Sequence, residues 1–266
     1  MAAVSFSQSA AAEPKPLWEI GLGVGGIVFP DYRGSDELEV YPIPLPYAVY
    51  RGKFLKADRE GLRGELFDRR YAELSVSIGG SIPVNSDDND VRRDMPDLKP
   101  TLELGPSLDL HLWHSAASDM KLDLVLPVRM PITIESSPKA IGLLFAPRLN
   151  LDVQNIAASG WDVGIGAGPL FATSKYHEYF YSVAPRYARP ERPAYEADGG
   201  YSGMHVLASV SRRFPGYWVG AYMRFDSLHD AAFEASPLVR QRYALSGGFG
   251  IAWMIGKSKR LVEAEE

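Results

Sequence analysis

The chain has 266 residues, 46% of them hydrophobic, with 28 Lys and Arg against 33 Asp and Glu and a formal charge of −5. An acidic balance without a basic stripe argues against nucleic acid as a partner, because phosphate binding needs a concentrated positive surface. The absence of cysteine excludes disulfide scaffolds, iron–sulfur clusters and thiolate zinc sites, and the lack of a run of about 18 apolar residues excludes a transmembrane helix.

In chain order, residues 1–12 end on Ala10, Ala11 and Ala12, a small-residue pattern that reads as the remnant of a signal peptide without its basic start. From there to residue 256 the dominant signal is period-two alternation, the signature of strands with two different faces. In 18–28, Trp18, Ile20, Leu22 and Val24 oppose Glu19, Gly21, Gly23 and Gly25. In 101–113, Leu102, Leu104, Leu108 and Leu110 oppose Glu103, Gly105, Asp109 and His111. In 119–131, Leu122, Leu124 and Leu126 oppose Lys121, Asp123 and Arg129, and in 161–172, Trp161, Val163 and Ile165 oppose Asp162, Gly164 and Gly166. The last stretch, 241–254, sets Tyr243, Leu245, Phe249, Ile251 and Trp253 against Arg242, Ser246, Gly248 and Gly250. Strands are predicted near 17–29, 41–50, 53–58, 61–67, 71–80, 101–113, 119–131, 142–153, 161–172, 200–213, 217–226 and 241–254. That makes about twelve, with ten as the alternative because the 53–67 region alternates poorly. Residues 257–266 read as a charged periplasmic tail.

A soluble sandwich and a membrane barrel both show this alternation, and two features separate them. The segments run about 10–13 residues, long for a soluble strand and suited to a tilted strand crossing a bilayer. Long connections (30–40, 81–100, 132–141, 173–199, 227–240) also alternate with short ones, as in barrels with external loops and periplasmic turns. The predicted fold is therefore an all-β, closed, antiparallel, up-and-down transmembrane barrel. Leu104, Leu124, Ile165, Tyr243, Leu245, Phe249 and Ile251 are then expected to face outer-membrane lipid. Asp109, His111, Asp123, Arg129, Arg148, Asp162 and Arg242 are expected to line the lumen. All five tryptophans, Trp18, Trp113, Trp161, Trp218 and Trp253, fall at strand ends on the periplasmic side, as an interfacial aromatic rim requires. Within YPIPLPYAVY, residues 41–50, Pro42, Pro44 and Pro46 have one parity, so the donors they lack all belong to one strand edge. The other edge can still pair, and an unzipped seam is expected at the external end.

Catalytic patterns are weak. Ser107, Asp109 and His111 share a face, but at about 3.4 Å per residue Ser107 and His111 stand roughly 13 Å apart, beyond nucleophile–base contact. His111 and His114 differ in parity, which places them on opposite faces. The acidic loop 85–97, NSDDNDVRRDMPD, lacks the spacing of a calcium loop and reads as internally paired. The Tyr- and Arg-rich 173–199 segment suits either surface ligands or a loop folded into the barrel mouth. No cofactor, metal or catalytic residue is expected.

The glycine-rich first strand is followed by PDYRGSDE (30–37), PYAVY (46–50), RRDMPDLKP and LELGPSLDL (92–110), GAGPLF (166–171), YHEYFYSV (176–183) and ASPLV (235–239). In that order and spacing the chain resembles the MipA/OmpV family of Gram-negative outer-membrane proteins, also called MltA-interacting proteins, from Leu17 to about Trp253. The resemblance implies an outer-membrane barrel and a scaffold role linking a lytic transglycosylase to a cell-wall synthase. It supplies no catalytic residues. Alternatives of another kind are a small-solute pore and a lipid-modifying barrel enzyme.

Overall fold

The computed structural model describes residues 14–51, 55–58, 61–64, 67–69, 71–115 and 119–263; the signal-peptide remnant expected at 1–12 and the last three residues of the tail lie outside the described residues. Alternating apolar and small or charged residues give strands β1 (Pro14–Pro16), β2 (Trp18–Pro30), β3 (Leu38–Arg51), β4 (Leu55–Asp58), β5 (Gly61–Gly64), β6 (Phe67–Arg69), β7 (Ala72–Ser81) and β8 (Thr101–Ser115). They continue as β9 (Met120–Thr133), β10 (Leu144–Phe145), β11 (Arg148–Val153), β12 (Trp161–Ala172), β13 (Gly200–Arg213), β14 (Tyr217–Ser227), β15 (Tyr243–Lys257) and β16 (Leu261–Glu263). Among the described residues one α-helix, α1 (Ser174–Tyr181), lies between β12 and β13.

The main sheet is antiparallel and runs β5-β4-β3-β2-β15-β14-β13-β12-β10-β9-β8-β7-β6, with β11 continuing β10 between β9 and β12. The last long strand pairs with the first, Gly250 opposite Gly25 and Ile251 opposite Val24. At the far end β5 lies alongside β7, so the strand order turns back toward its own beginning. β1 and β16 form a separate two-stranded ribbon, Pro14 opposite Glu263 and Pro16 opposite Leu261, so part of the charged tail is tied to the N-terminal segment.

Three departures from the expected strands have local causes. The 142–153 strand breaks into β10 and β11 at Ala146 and Pro147, where proline removes a ladder donor. The final strand begins at Tyr243, because Leu228 N–H donates to the Arg242 carbonyl and holds Arg242 in the preceding loop. In β8 the register slips between His111, opposite Asp123, and Trp113, opposite Leu122. This bulge at Leu112 resets the parity. His114, opposite Lys121, therefore joins His111 on one face, and Trp113 turns to the apolar face, correcting the opposite-face reading of the two histidines.

Glycines set how closely strands approach at two places. A Cβ at Gly105 would collide with the Val128 carbonyl and lie 2.9 Å from Arg129 Cα. Gly105→Val is expected to strain the β8–β9 pairing by about 1–3 kcal/mol, read as a lowered midpoint in denaturant unfolding from detergent. A Cβ at Gly79 would lie 2.9 Å from Glu103 Oε2 and 3.1 Å from Arg129 Nη1, so the missing side chain is what lets that ion pair lie against β7.

The two faces differ. One exposes Leu22, Val24, Leu104, Val128, Met130, Ile165, Phe225, Leu245 and Phe249, and the other buries Glu19, Glu73, Ser75, Glu103, Ser107, His205 and Asp226. Folding has reversed the soluble-protein pattern over the strands. The conventional apolar core sits elsewhere, among the long loops at one end.

Candidate functional site

Five long connections at one end of the sheet contribute to a single apolar cluster: Tyr32 from 31–37, Val84 and Leu98 from 82–100, Ile141 from 134–143, Phe180, Tyr181, Val183 and Ala197 from 173–199, and Leu228, Phe233 and Leu238 from 228–242. Phe233 is fully buried and stacks on Tyr181 with ring centroids 3.6 Å apart, while the His177 ring meets it edge-on at 4.6 Å. These residues form a cap with its own core.

Hydrogen bonds stitch the loops together across long sequence separations. Tyr32 Oη donates to the Leu238 carbonyl (2.8 Å), Tyr181 Oη to the Arg33 carbonyl (3.0 Å) and Ser236 Oγ to the Tyr181 carbonyl (2.7 Å). Arg92 is buried and donates to the carbonyls of Phe180 and Pro96, both at 3.1 Å. Burial depresses its pKa, and it remains a cation because an arginine starts so high. Arg192 donates to the carbonyls of Val91 (2.7 Å), Arg93 (3.0 Å) and Tyr187. The 173–199 segment is thus packed against the other loops by buried rings and by Arg192. In 85–97, Asp97 accepts the Ser86 N–H (3.1 Å) and Asp90 pairs with Arg93 (2.8 Å). The loop's carboxylates form no compact ligand cluster among the described residues.

His177 is buried in the cap, with Nδ1 2.5 Å from the Asp198 carbonyl and Nε2 in contact with Ser202 Oγ. Desolvation pushes its pKa below the ordinary histidine value, partly offset by the Asp198 carbonyl. A histidine that is harder to protonate when folded favours the folded state above its unfolded pKa of about 6.5, and that contribution is lost as the pH falls below this value. Protease cleavage of the cap loops is therefore expected to accelerate between about pH 7 and about pH 5, with a flatter profile in His177→Gln.

Below the cap, the polar face carries a connected set of charges. Asp226 binds Arg224 through two bonds of 2.7 Å each and Arg33 Nε at 2.9 Å. Arg33 also donates to the Ser202 carbonyl (2.6 Å), tying this network to the histidine of the cap. Glu103 pairs with Arg129 (3.2 Å), and His205 stands opposite Asp226 in the β13–β14 register. One carboxylate shared by two guanidiniums is a strong arrangement in a low dielectric.

The residues singled out in the sequence distribute as follows. Leu104, Ile165, Tyr243, Leu245 and Phe249 are exposed, Phe249 to 71%, while Leu124 and Ile251 are half-buried. Trp18, Trp113 and Trp253 are exposed and Trp161 is half-buried. Trp218 differs: it shares the parity of Arg224 and Asp226 and lies against Gly220, its ring 6.2 Å from that of Tyr47. Glycine at 220 makes the space for the indole on the polar face. Asp109 accepts bonds from Ser75 (2.9 Å) and Ser107 (2.6 Å), and His111 meets Asp123 at 2.9 Å. Asp162 accepts the Asn155 N–H (3.0 Å), and Arg148 stands opposite Val125 where β11 joins β9. Arg242 does not join the lumen set: its side chain is 73% exposed and pairs with Glu234 at 2.6 Å in the loop before β15. Arg33, Glu103, His205, Arg224 and Asp226 belong to the network but were not singled out; Glu103 shares the parity of Asp109, the one signal that pointed to it.

For chemistry the arrangement offers little. The Ser202–His177 side-chain contact has both side chains fully buried, so a substrate has no approach to the hydroxyl.

A family model described as MltA-interacting protein MipA matches residues 22–255. No curated protein matches the chain. Among solved structures, the outer membrane protein OprG from Pseudomonas aeruginosa is similar at 9% identity over 90% of this chain and 94% of that one, with a TM-score of 0.24. The toluene transporter TbuX from Ralstonia pickettii is similar at 9% identity over 93% of this chain and 71% of that one, also with a TM-score of 0.24.

Proposed function

Because the chain belongs to the MipA family of MltA-interacting proteins, we propose that it is a closed outer-membrane β-barrel without catalytic activity, whose periplasmic end docks a murein-cleaving lytic transglycosylase. The observation that carries this reading is the inverted partition of the strands. Large apolar side chains stand exposed along one face while ion pairs are buried on the other. In water an exposed apolar band of that extent would aggregate; in a bilayer it is the surface that inserts. Closure removes the sheet edges that lipid cannot hydrogen-bond, and the strand order supports it by returning β5 to β7.

The capped end is the external one, since long loops lie outside and short turns face the periplasm. The partner then meets the short-turn end, where the β1–β16 ribbon continues from β2 and β15 through the Leu17 N–H to Arg260 carbonyl bond (2.9 Å). A cell-wall synthase as the second partner extends the scaffold reading. The small-solute pore is disfavoured by the cap, and no step conductance is expected in planar bilayers. Pull-down from detergent extracts with a lytic transglycosylase as prey tests the docking: retention should require the intact ribbon, and equal retention after deletion of residues 257–266 would remove the ribbon from the account.

The lipid-facing assignment makes a separate demand. Phe249→Arg is expected to destabilise the inserted protein by about 2–4 kcal/mol if residue 249 lies near the midplane, whereas Asn150→Arg, on the polar face opposite Asp123, should have a smaller effect. Folding yields into vesicles across a urea series measure both.

A further inference from the structure

We propose that a groove on the outer face of β2, β14 and β15 holds one acyl chain of a lipid in the external leaflet. The proposal rests on the barrel reading and adds to it a defined site with a single occupant.

The groove follows from two glycines of outward parity. Gly247 of β15 pairs with Met223 of β14 and Val28 of β2, and Phe249 pairs with Ala221 and Gly26. Successive residues alternate between the faces of a strand, and Phe249, 71% exposed, marks this face as the outer one. Two neighbouring positions of the apolar band thus carry no side chain. Met223 and Val28 flank the gap across the sheet, Leu245 stands above it and the Phe249 ring below, and Val40 of β3 completes the rim. Ile27 and Tyr222 also border the space, but their side chains lie over Gly248 on the inner face. The volume is about 390 Å³, within the range of small-molecule sites, roughly 300–1,000 Å³.

The lining decides what can enter. Gly247, Gly26 and Phe249 are paired on both sides within the sheet, so the floor turns its backbone donors and acceptors to neighbouring strands. The side chains around it are apolar. Water or a polar solute therefore finds no partner there, and an unfilled gap forfeits the dispersion contacts of its lining. A second copy of this chain fits poorly, because two convex walls touch along a line and the Phe249 ring projects beside the gap. A methylene chain is narrow and flexible enough to lie in it. The apolar band that surrounds the groove is the face assigned to lipid, so such chains already lie against it.

Depth selects the leaflet. β2 climbs from Trp18 to Pro30 at the capped end, which is the external one on the barrel reading. Val28 and Gly26 stand about 7 Å and about 14 Å short of Pro30 along the strand, at about 3.4 Å per residue. The groove therefore lies in the external half of the wall.

Gly26 is the position at which to fill it. A Cβ there would meet the Phe249 ring at 3.3 Å and no backbone atom closer than the Tyr41 carbonyl at 4.0 Å, so a larger side chain would push the ring into the groove. At Gly247 a Cβ would lie 3.0 Å from the Tyr222 carbonyl, and substitution would strain the sheet instead.

The test uses full-length protein in nanodiscs of phosphatidylethanolamine carrying a photoreactive diazirine on one acyl chain, with the labelled residues located by peptide mass spectrometry. Ile78, Leu104 and Met130, side by side across β7, β8 and β9, provide an ungrooved reference on the same face. Labelling at Met223, Leu245 and Phe249 is expected to exceed the reference several-fold and to fall to its level in Gly26→Leu. Val40→Trp, at the rim, is the second variant should Gly26→Leu fail to fold. Equal labelling of both surfaces in the unaltered protein, or an excess that filling does not remove, would overturn the groove and leave the barrel standing. A dimer in native mass spectrometry that Gly26→Leu dissociates would assign the gap to a second copy and overturn the lipid. Labelling of neither surface in folded protein would overturn the barrel reading and the groove with it.

Discussion

Asp226→Ala is expected to lower the unfolding free energy by about 1.5–3 kcal/mol, because it leaves two half-buried guanidiniums without their shared counter-charge. Arg224 donates from Nε and Nη2 to the two carboxylate oxygens, and Arg33 approaches from the loop above. The penalty arises from stranding charge rather than from losing a favourable pair. A variant that removes charge from both sides, Asp226→Leu with Arg224→Met, should therefore recover much of the loss. Denaturant unfolding in detergent micelles, followed by the shift between folded and unfolded bands on a gel, would separate the two. If the double variant were as unstable as the single one, the network would be holding the cap in place by geometry rather than by charge balance.

Phe233→Ala is the second large effect, with an expected loss of about 3–5 kcal/mol in the cap. The ring is fully buried, stacked on Tyr181 and bordered by His177, in a cluster assembled from five separate connections. Removing it leaves a cavity in the larger of the two buried apolar clusters among the described residues. Because the strands are stabilised by their own ladders and by lipid, the damage should stay local. Limited proteolysis from the external side is expected to cut within 173–199 and 228–242, with the sheet surviving. A global loss of folded protein would instead make the cap and the sheet one cooperative unit.

The strands were legible in the sequence because their alternation is local, each residue declaring its face by parity alone. β3 is the clearest case. Three prolines of one parity implied that one edge keeps its ladder, and the structure has that ladder to β2, unbroken opposite Pro42, Pro44 and Pro46. The parity rule failed where the count slipped. A single extra residue at Leu112 put His111 and His114 on the same face and turned Trp113 over. Trp218 stands at the strand end where the sequence puts it, but on the polar face, in the space left by Gly220 and beside the Tyr47 ring, a packing detail that periodicity does not report.

The cap was not legible at all. Val84, Leu98, Ile141, Phe233 and Leu238 are isolated apolar residues in polar connections, with no period to mark them, and they find each other only when the strands bring the loop ends together. The same holds for Arg33, which comes from one loop to complete an ion pair on a strand distant in sequence. The half of the site that lies along strands was readable; the half that depends on loop closure was not.

The central claim is that the apolar face of this sheet meets lipid and the charged face encloses an interior. Density-gradient separation of cell envelopes, followed by electrophoresis with and without boiling, tests it most directly. The account requires the full-length protein to sediment with outer membranes and to migrate differently when unboiled, as an intact barrel does. Recovery in the soluble fraction, with the same mobility before and after heating, would contradict it.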